Sequence, residues 1–308
     1  MEGGAGVSGA PAGGTGGNAG TNTGGNAGSD AGAPMGQLVA SAEILDEIAV
    51  DNTNIYYASS ALMKLPKTGG TSSSLADELI LGLAIDESNA YFGVVGISDD
   101  LMRVPLVGGT PSVVAATPGA VILSIAVGPS DVYWSDLNSG VRRAPKSGGV
   151  ATTLSDATPV GIDVDAAYLY WADCGAGEIR RLPLAGGGAE TVAKGDPCLA
   201  KVKVDATSVY WAEVNTATIL KAPLAGGTTQ VLVPQSSSLG QIALDEANLY
   251  FGDTRGVIQR VAKPGGPPTN VAAGPADSAV LEIAVDATHV YWVAKPVTGA
   301  KVLMRAPK

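Results

Sequence analysis

The side chains that could do chemistry in this chain are those that break a pattern. Asp163 and Lys203 stand two residues before the end of short apolar segments. Five equivalent segments carry alanine there: Ala49, Ala84, Ala126, Ala243 and Ala284. Two residues further back the same segments carry Glu47, Gly82, Ser124, Gly161, Lys201, Gln241 and Glu282. Charges and amides collected in this way have two uses. Paired with one another, Asp163 and Lys203 form a salt bridge between neighbouring segments. Facing a cavity, Glu47, Asp163, Lys201, Lys203, Gln241 and Glu282 form a polar binding site. A third use, with Glu47, Asp163 and Glu282 around a metal ion, would belong to an enzyme. The reading adopted is a binding site with no metal and no cofactor.

Other reactive residue types give little. His289 is the only histidine. It aligns with Asn54, Asn89, Asp131, Tyr168, Ser208 and Asn248, so it reads as a variable turn position. No G-x-S-x-G elbow and no histidine-based triad is present. Cys174 and Cys198 are the two cysteines. They are expected to form a disulfide that closes a short loop, which implies an oxidising compartment.

The segments themselves recur. Asp51, Asp86, Gly128, Asp165, Asp205, Asp245 and Asp286 end them, at spacings of 35, 42, 37, 40, 40 and 41 residues. An aromatic pair follows each anchor in step: Tyr56-Tyr57, Tyr91-Phe92, Tyr133-Trp134, Tyr170-Trp171, Tyr210-Trp211, Tyr250-Phe251 and Tyr291-Trp292. A basic residue comes next, then Gly-Gly in six of the seven copies. A repeat near 40 residues built of strand-like pieces predicts a seven-bladed all-β propeller of four-stranded antiparallel blades. Strand a ends at the anchor, strand b carries the aromatic pair, strand c the basic residue, and strand d follows Gly-Gly. The seventh copy stops after strand c at Pro307-Lys308. Its missing strand d is supplied by Gln37–Ser41, so the N-terminal strand closes the ring and removes a free sheet edge.

What every blade repeats reads as scaffold. A short carboxylate at the end of strand a can accept N–H groups of the a–b turn. The basic series Lys64, Arg103, Arg143, Arg181, Lys221, Arg260 and Arg305 is expected to pair with Asp136, Asp173, Glu213 or Asp253 near the aromatic pairs. The aromatic pairs are core, and Gly-Gly supplies positive φ in a hairpin.

Copies such as Tyr133-Trp134-Ser135-Asp136, Tyr170-Trp171-Ala172-Asp173 and Ile179-Arg180-Arg181-Leu182-Pro183-Leu184 resemble the YWTD propellers of the low-density-lipoprotein receptor type. The resemblance spans about residues 44–308. That family has six blades where seven are counted here, and the Thr of YWTD is absent. In blade count the chain also resembles streptogramin-inactivating lyases. That resemblance implies a histidine acid/base, and His289 is poorly placed for the role.

Residues 1–35 form a Gly/Ala/Asn/Thr-rich segment that cannot bury a core and reads as a disordered tether to a propeller over 36–308. It resembles the tether that follows the lipid-bearing Cys of surface lipoproteins from high-GC soil bacteria. The expectation is an extracytoplasmic protein, lipid-anchored in a longer precursor. A net charge of −10 without a basic cluster argues against nucleic acid. No apolar run reaches the roughly 18–20 residues of a membrane span. The function expected is a non-catalytic, monomeric binding scaffold for a protein, peptide or envelope glycan. The alternatives are a propeller enzyme of the lyase, lactonase or cyclotransferase kind, and a purely structural spacer.

Overall fold

The computed structural model describes residues 33–308 apart from 43–44, 97, 158, 197–198, 235–237 and the side chains of 238–240. Residues 1–32 of the tether, and the Cys198 partner of the expected disulfide, lie outside the described residues. Within them the chain forms seven four-stranded antiparallel sheets. Blades one to six run in chain order, inner strand to outer. Their inner strands a are Ile48–Val50, Ile80–Ile85, Ile122–Val127, Pro159–Val164, Leu199–Val204 and Ser238–Leu244. Blade seven begins with Ser278–Val285 and takes its outer strand from the opposite end of the chain. Gln37–Ala42 pairs with Lys301–Pro307, as expected. The N-terminal arm reaches further than the sequence suggests. Ala273 N–H donates to Pro34 O at 2.9 Å, and Gly36 N–H donates to Ala273 O at 2.8 Å. One short segment thus holds the outer strand of blade six and completes blade seven.

The aromatic pairs are core. Tyr56, Trp134, Trp171, Trp211 and Trp292 are all fully buried. Each packs between its own blade and a neighbour, which is why the pair must recur in every copy. The glycine pairs take positive φ, for example Gly148 at 97° and Gly149 at 159°. The strand c to strand d turns require this.

The anchors do what a short carboxylate can do, and more. In Asp205, Oδ1 accepts the N–H groups of Thr207 and Ser208, both at 2.9 Å, while Oδ2 accepts Tyr210 O–H at 2.9 Å. The other anchor aspartates repeat the pattern with the Tyr five residues on. Four of them also meet a lysine from the next blade: Asp86 with Lys146, Asp205 with Lys263, Asp245 with Lys308, and Asp286 with Lys67. Where blade three has Gly128 instead of Asp, the equivalent neighbour is Leu184, and no charge is stranded.

The basic series does not pair with the acids expected for it. Lys64 Nζ donates to Leu106 O at 2.7 Å, Arg181 Nη1 to Leu224 O at 2.8 Å, and Lys221 Nζ to Lys263 O at 2.6 Å. Arg305 donates to Lys67 O at 2.6 Å, and Arg103 to Lys146 O. Each bond joins one blade to the main chain of the next. Register explains the correction. Arg143 lies opposite Tyr133 and Asp136 opposite Gly140, three residues along the strand, or about 10 Å. The acids instead hold the other end of the blade. Asp136 Oδ1 accepts Asn138 N–H at 2.9 Å and Val121 N–H at 3.2 Å. Glu213 Oε1 accepts Asp196 N–H at 2.9 Å.

Candidate functional site

All seven strands a surround one axial cavity of about 430 Å³. Small side chains make it possible: Ala49, Ala84, Ala126, Ala243 and Ala284 line its wall. Two residues nearer the b–c and d–a loops, the strand widens. In blades two to seven the a–b register shifts at this level, for example between Ile122 and Ser124 and between Val280 and Glu282. Such bulges bend a strand and re-aim its side chains. The cavity therefore has an alanine waist and a charged mouth.

Five of the six singled-out residues line it: Glu47, Asp163, Lys201, Lys203 and Glu282. Gln241 does not. The register of its strand slips between Ser238 and Ile242, and its Oε1 is buried without a hydrogen-bond partner. The expected Asp163–Lys203 salt bridge is also absent among the described residues. Asp163 Oδ2 instead accepts Val204 N–H of blade five at 2.8 Å, and Oδ1 accepts Val164 N–H at 3.0 Å. The ion pair that does form is Lys201 Nζ with Glu282 Oε2 at 3.0 Å. It reaches from blade five to blade seven, past blade six.

Burial sets the protonation at this mouth. It pushes Glu47 up from 4.5 to about 7, with Glu282 and Asp46 adding to the rise and Lys201 and Lys203 opposing it. Burial also raises Asp163, against Lys203 and the two N–H groups. For Lys201 burial acts downward, but the Glu282 and Glu47 carboxylates outweigh it and raise its pKa. A carboxyl raised in the fold stabilises it most below 4.5, and that stability is lost as pH rises through about 7. Glu47→Gln should therefore leave Tm unchanged near pH 4 and raise it above about pH 7. Melting curves across that range check this; a Tm difference independent of pH would refute it.

The remaining candidates fall outside the mouth. His289 sits in the a–b turn of blade seven. Its N–H donates to Asp286 Oδ1 at 2.8 Å, and Nδ1 lies 2.8 Å from Thr288 Oγ1. Cys174 Sγ lies 2.8 Å from Leu199 O, so the b–c loop of blade four meets the start of blade five. Among the described residues no group of three or more metal-ligating side chains is gathered. Asp163 is held by main-chain N–H groups and Glu282 by Lys201. Sequence reasoning missed the inter-blade lysines Lys67, Lys146, Lys263 and Lys308. Their signal was their recurrence just after strand c.

Seven four-stranded blades around a channel define a β-propeller. No family model matches the sequence, and no curated protein matches it. Solved structures do. A chain of a nidogen–laminin complex is 19% identical, with a TM-score of 0.57 over 71% of this chain and 93% of that one. A streptogramin B lyase is 13% identical, TM-score 0.69, over 88% and 96%. The WD40 propeller domain of Doa1 is 12% identical, TM-score 0.71, over 89% and 97%. At such identities the likeness is one of fold, and fold does not carry function.

Proposed function

We propose that the chain is a non-catalytic binding module that meets a peptide or protein on the face formed by its b–c and d–a loops. One observation carries the reading. The charged mouth opens on the face where Leu79, Val95, Leu137, Val160, Val214 and Val297 are solvent-exposed. Apolar side chains around a polar centre suit a polypeptide better than a glycan. We assign the module to an extracytoplasmic, surface-tethered protein of the YWTD-like kind, in accord with the Gly-rich segment and the Tyr-Trp copies. Immobilised full-length protein should capture a polypeptide from envelope extracts, and Lys201→Ala/Lys203→Ala should weaken capture about tenfold or more. Capture indifferent to the mouth variants, or binding confined to a glycan array, would refute the reading. Absence from the envelope fraction in cell fractionation would refute the localisation.

A second reading, a propeller enzyme, draws support from Glu47 alone. A half-buried carboxyl with its pKa raised to about 7 is matched to proton transfer. Substrate turnover that disappears in Glu47→Gln while ligand binding persists would favour it.

A further inference from the structure

Five charged side chains line the mouth, three carboxylates and two ammoniums. Three of the five are already engaged. Lys201 and Glu282 hold each other, and Asp163 holds two main-chain N–H groups. Glu47 and Lys203 are left. Among the described residues neither makes a side-chain hydrogen bond or an ion pair. They come from blades one and five, three steps apart in a ring of seven, and so face one another from nearly opposite walls. One cavity thus presents one carboxyl and one ammonium that no direct contact engages, although each lies within the other's electrostatic reach.

We propose that this mouth binds a small zwitterion of the amino-acid or short-peptide class, its ammonium at Glu47 and its carboxylate at Lys203. The proposal rests on the mouth being the binding surface and narrows the ligand that surface takes. A charge held in a poorly solvated cavity without a partner is unfavourable, and a counter-charge offsets that. A simple cation or anion would satisfy one wall only. A zwitterion satisfies both and brings no net charge to a protein of −10. A cavity of about 430 Å³ lies within the ordinary range of small-molecule sites. Binding also has a proton signature. Glu47 is faced by Lys201, Lys203, Glu282 and Asp46, the last paired with Lys301. A ligand ammonium beside Glu47 favours its ionised form, so below pH 7 binding should release a proton.

The experiment is calorimetric titration of the full chain with a panel of free amino acids and dipeptides. Each is tested beside its N-acetyl and its carboxamide form. At least one free zwitterion should bind, and capping either end should weaken it by about tenfold or more. Glu47→Gln and Lys203→Met should each cause a similar loss while keeping a wild-type circular dichroism spectrum. At pH 6, titrations in buffers of different ionisation enthalpy should show proton release by the wild type and none by Glu47→Gln. Failure of the whole panel, capped ligands binding as well as free ones, or variants binding unchanged would overturn the proposal. If the panel fails but the mouth variants still lose captured polypeptide, only this inference falls. If capture is also indifferent to those variants, the binding role of the mouth falls with it.

Discussion

Deleting residues 34–42 should lower Tm by about 10 °C or more, corresponding to a loss of roughly 4 kcal/mol. The segment is short but does three things at once. It pairs with Lys301 to Arg305 of the last strand. It packs Val39, Ala40 and Ala42 against the cluster of Tyr291, Leu303 and Leu65. Through Pro34 and Gly36 it also bonds the outer strand of blade six. Without it blade seven has three strands and an open edge, which invites pairing with a second molecule. The deleted protein should therefore melt early and elute partly as oligomers in size-exclusion chromatography. A melting curve superimposable on the wild type would sink the closure model. A finer probe is Gly36→Val. A Cβ at that position would lie 2.2 Å from Trp292 Cη2, against a ring that is fully buried. Overpacking of this kind costs about 1–3 kcal/mol.

Acid should unfold this protein through its anchors. Burial tends to raise their pKa values, but hydrogen bonds outweigh it. Tyr56, Thr53 and Asn54 bring Asp51 from 3.8 to about 2. Lys308, Tyr250 and the turn N–H groups do the same for Asp245. Asp86, Asp205 and Asp286 are lowered for like reasons. Because the folded values are depressed, the unfolded chain binds more protons between about pH 4 and pH 2. The stabilisation is present above 3.8 and is lost as pH falls through about 2. Each carboxylate contributes up to about 2 kcal/mol, less where solvent screens it. Five of them acting together make the fall steep. Asp286→Ala removes a turn cap, the Tyr291 partner and the Lys67 ion pair in one step. It should cost about 2–4 kcal/mol at pH 7, and the cost should shrink as pH falls below 3.8. Urea titrations at a series of pH values decide this; a constant difference between variant and wild type would refute the role assigned to the anchors.

Much of the fold was legible because a repeat is a local pattern with a single geometric solution. Aromatic pairs at fixed offsets from the anchors mark strands b, and Gly-Gly marks the turn to strand d. Gln37–Ser41 is recognisable as a strand d out of place because it precedes the first strand a and looks like the other strands d. The basic series was misassigned for a physical reason. Spacing shows that Arg181 is near Tyr170, but it cannot show that the guanidinium points past its own blade to Leu224 O. The nearest partner in space belongs to the next repeat, and sequence order hides it.

The mouth divides along the same line. That Glu47, Asp163, Lys201, Lys203 and Glu282 stand on the innermost strands follows from their offset to the anchors alone. Which of them pair does not. Asp163 and Lys203 occupy the same offset in adjacent blades, yet Asp163 turns to Val204 N–H. Lys201 meets Glu282 because a closed ring brings blades five and seven within one side-chain length across the channel. Gln241 shares the offset of Lys201 and Glu282 and the bulge of their strands, yet it does not line the cavity. The blades, their number and the strand that closes them depend on patterns repeated along the chain, so they can be read residue by residue. The charge pairing, and the two groups left without a direct contact, emerge in the folded ring, since distances across the channel are set by its closure.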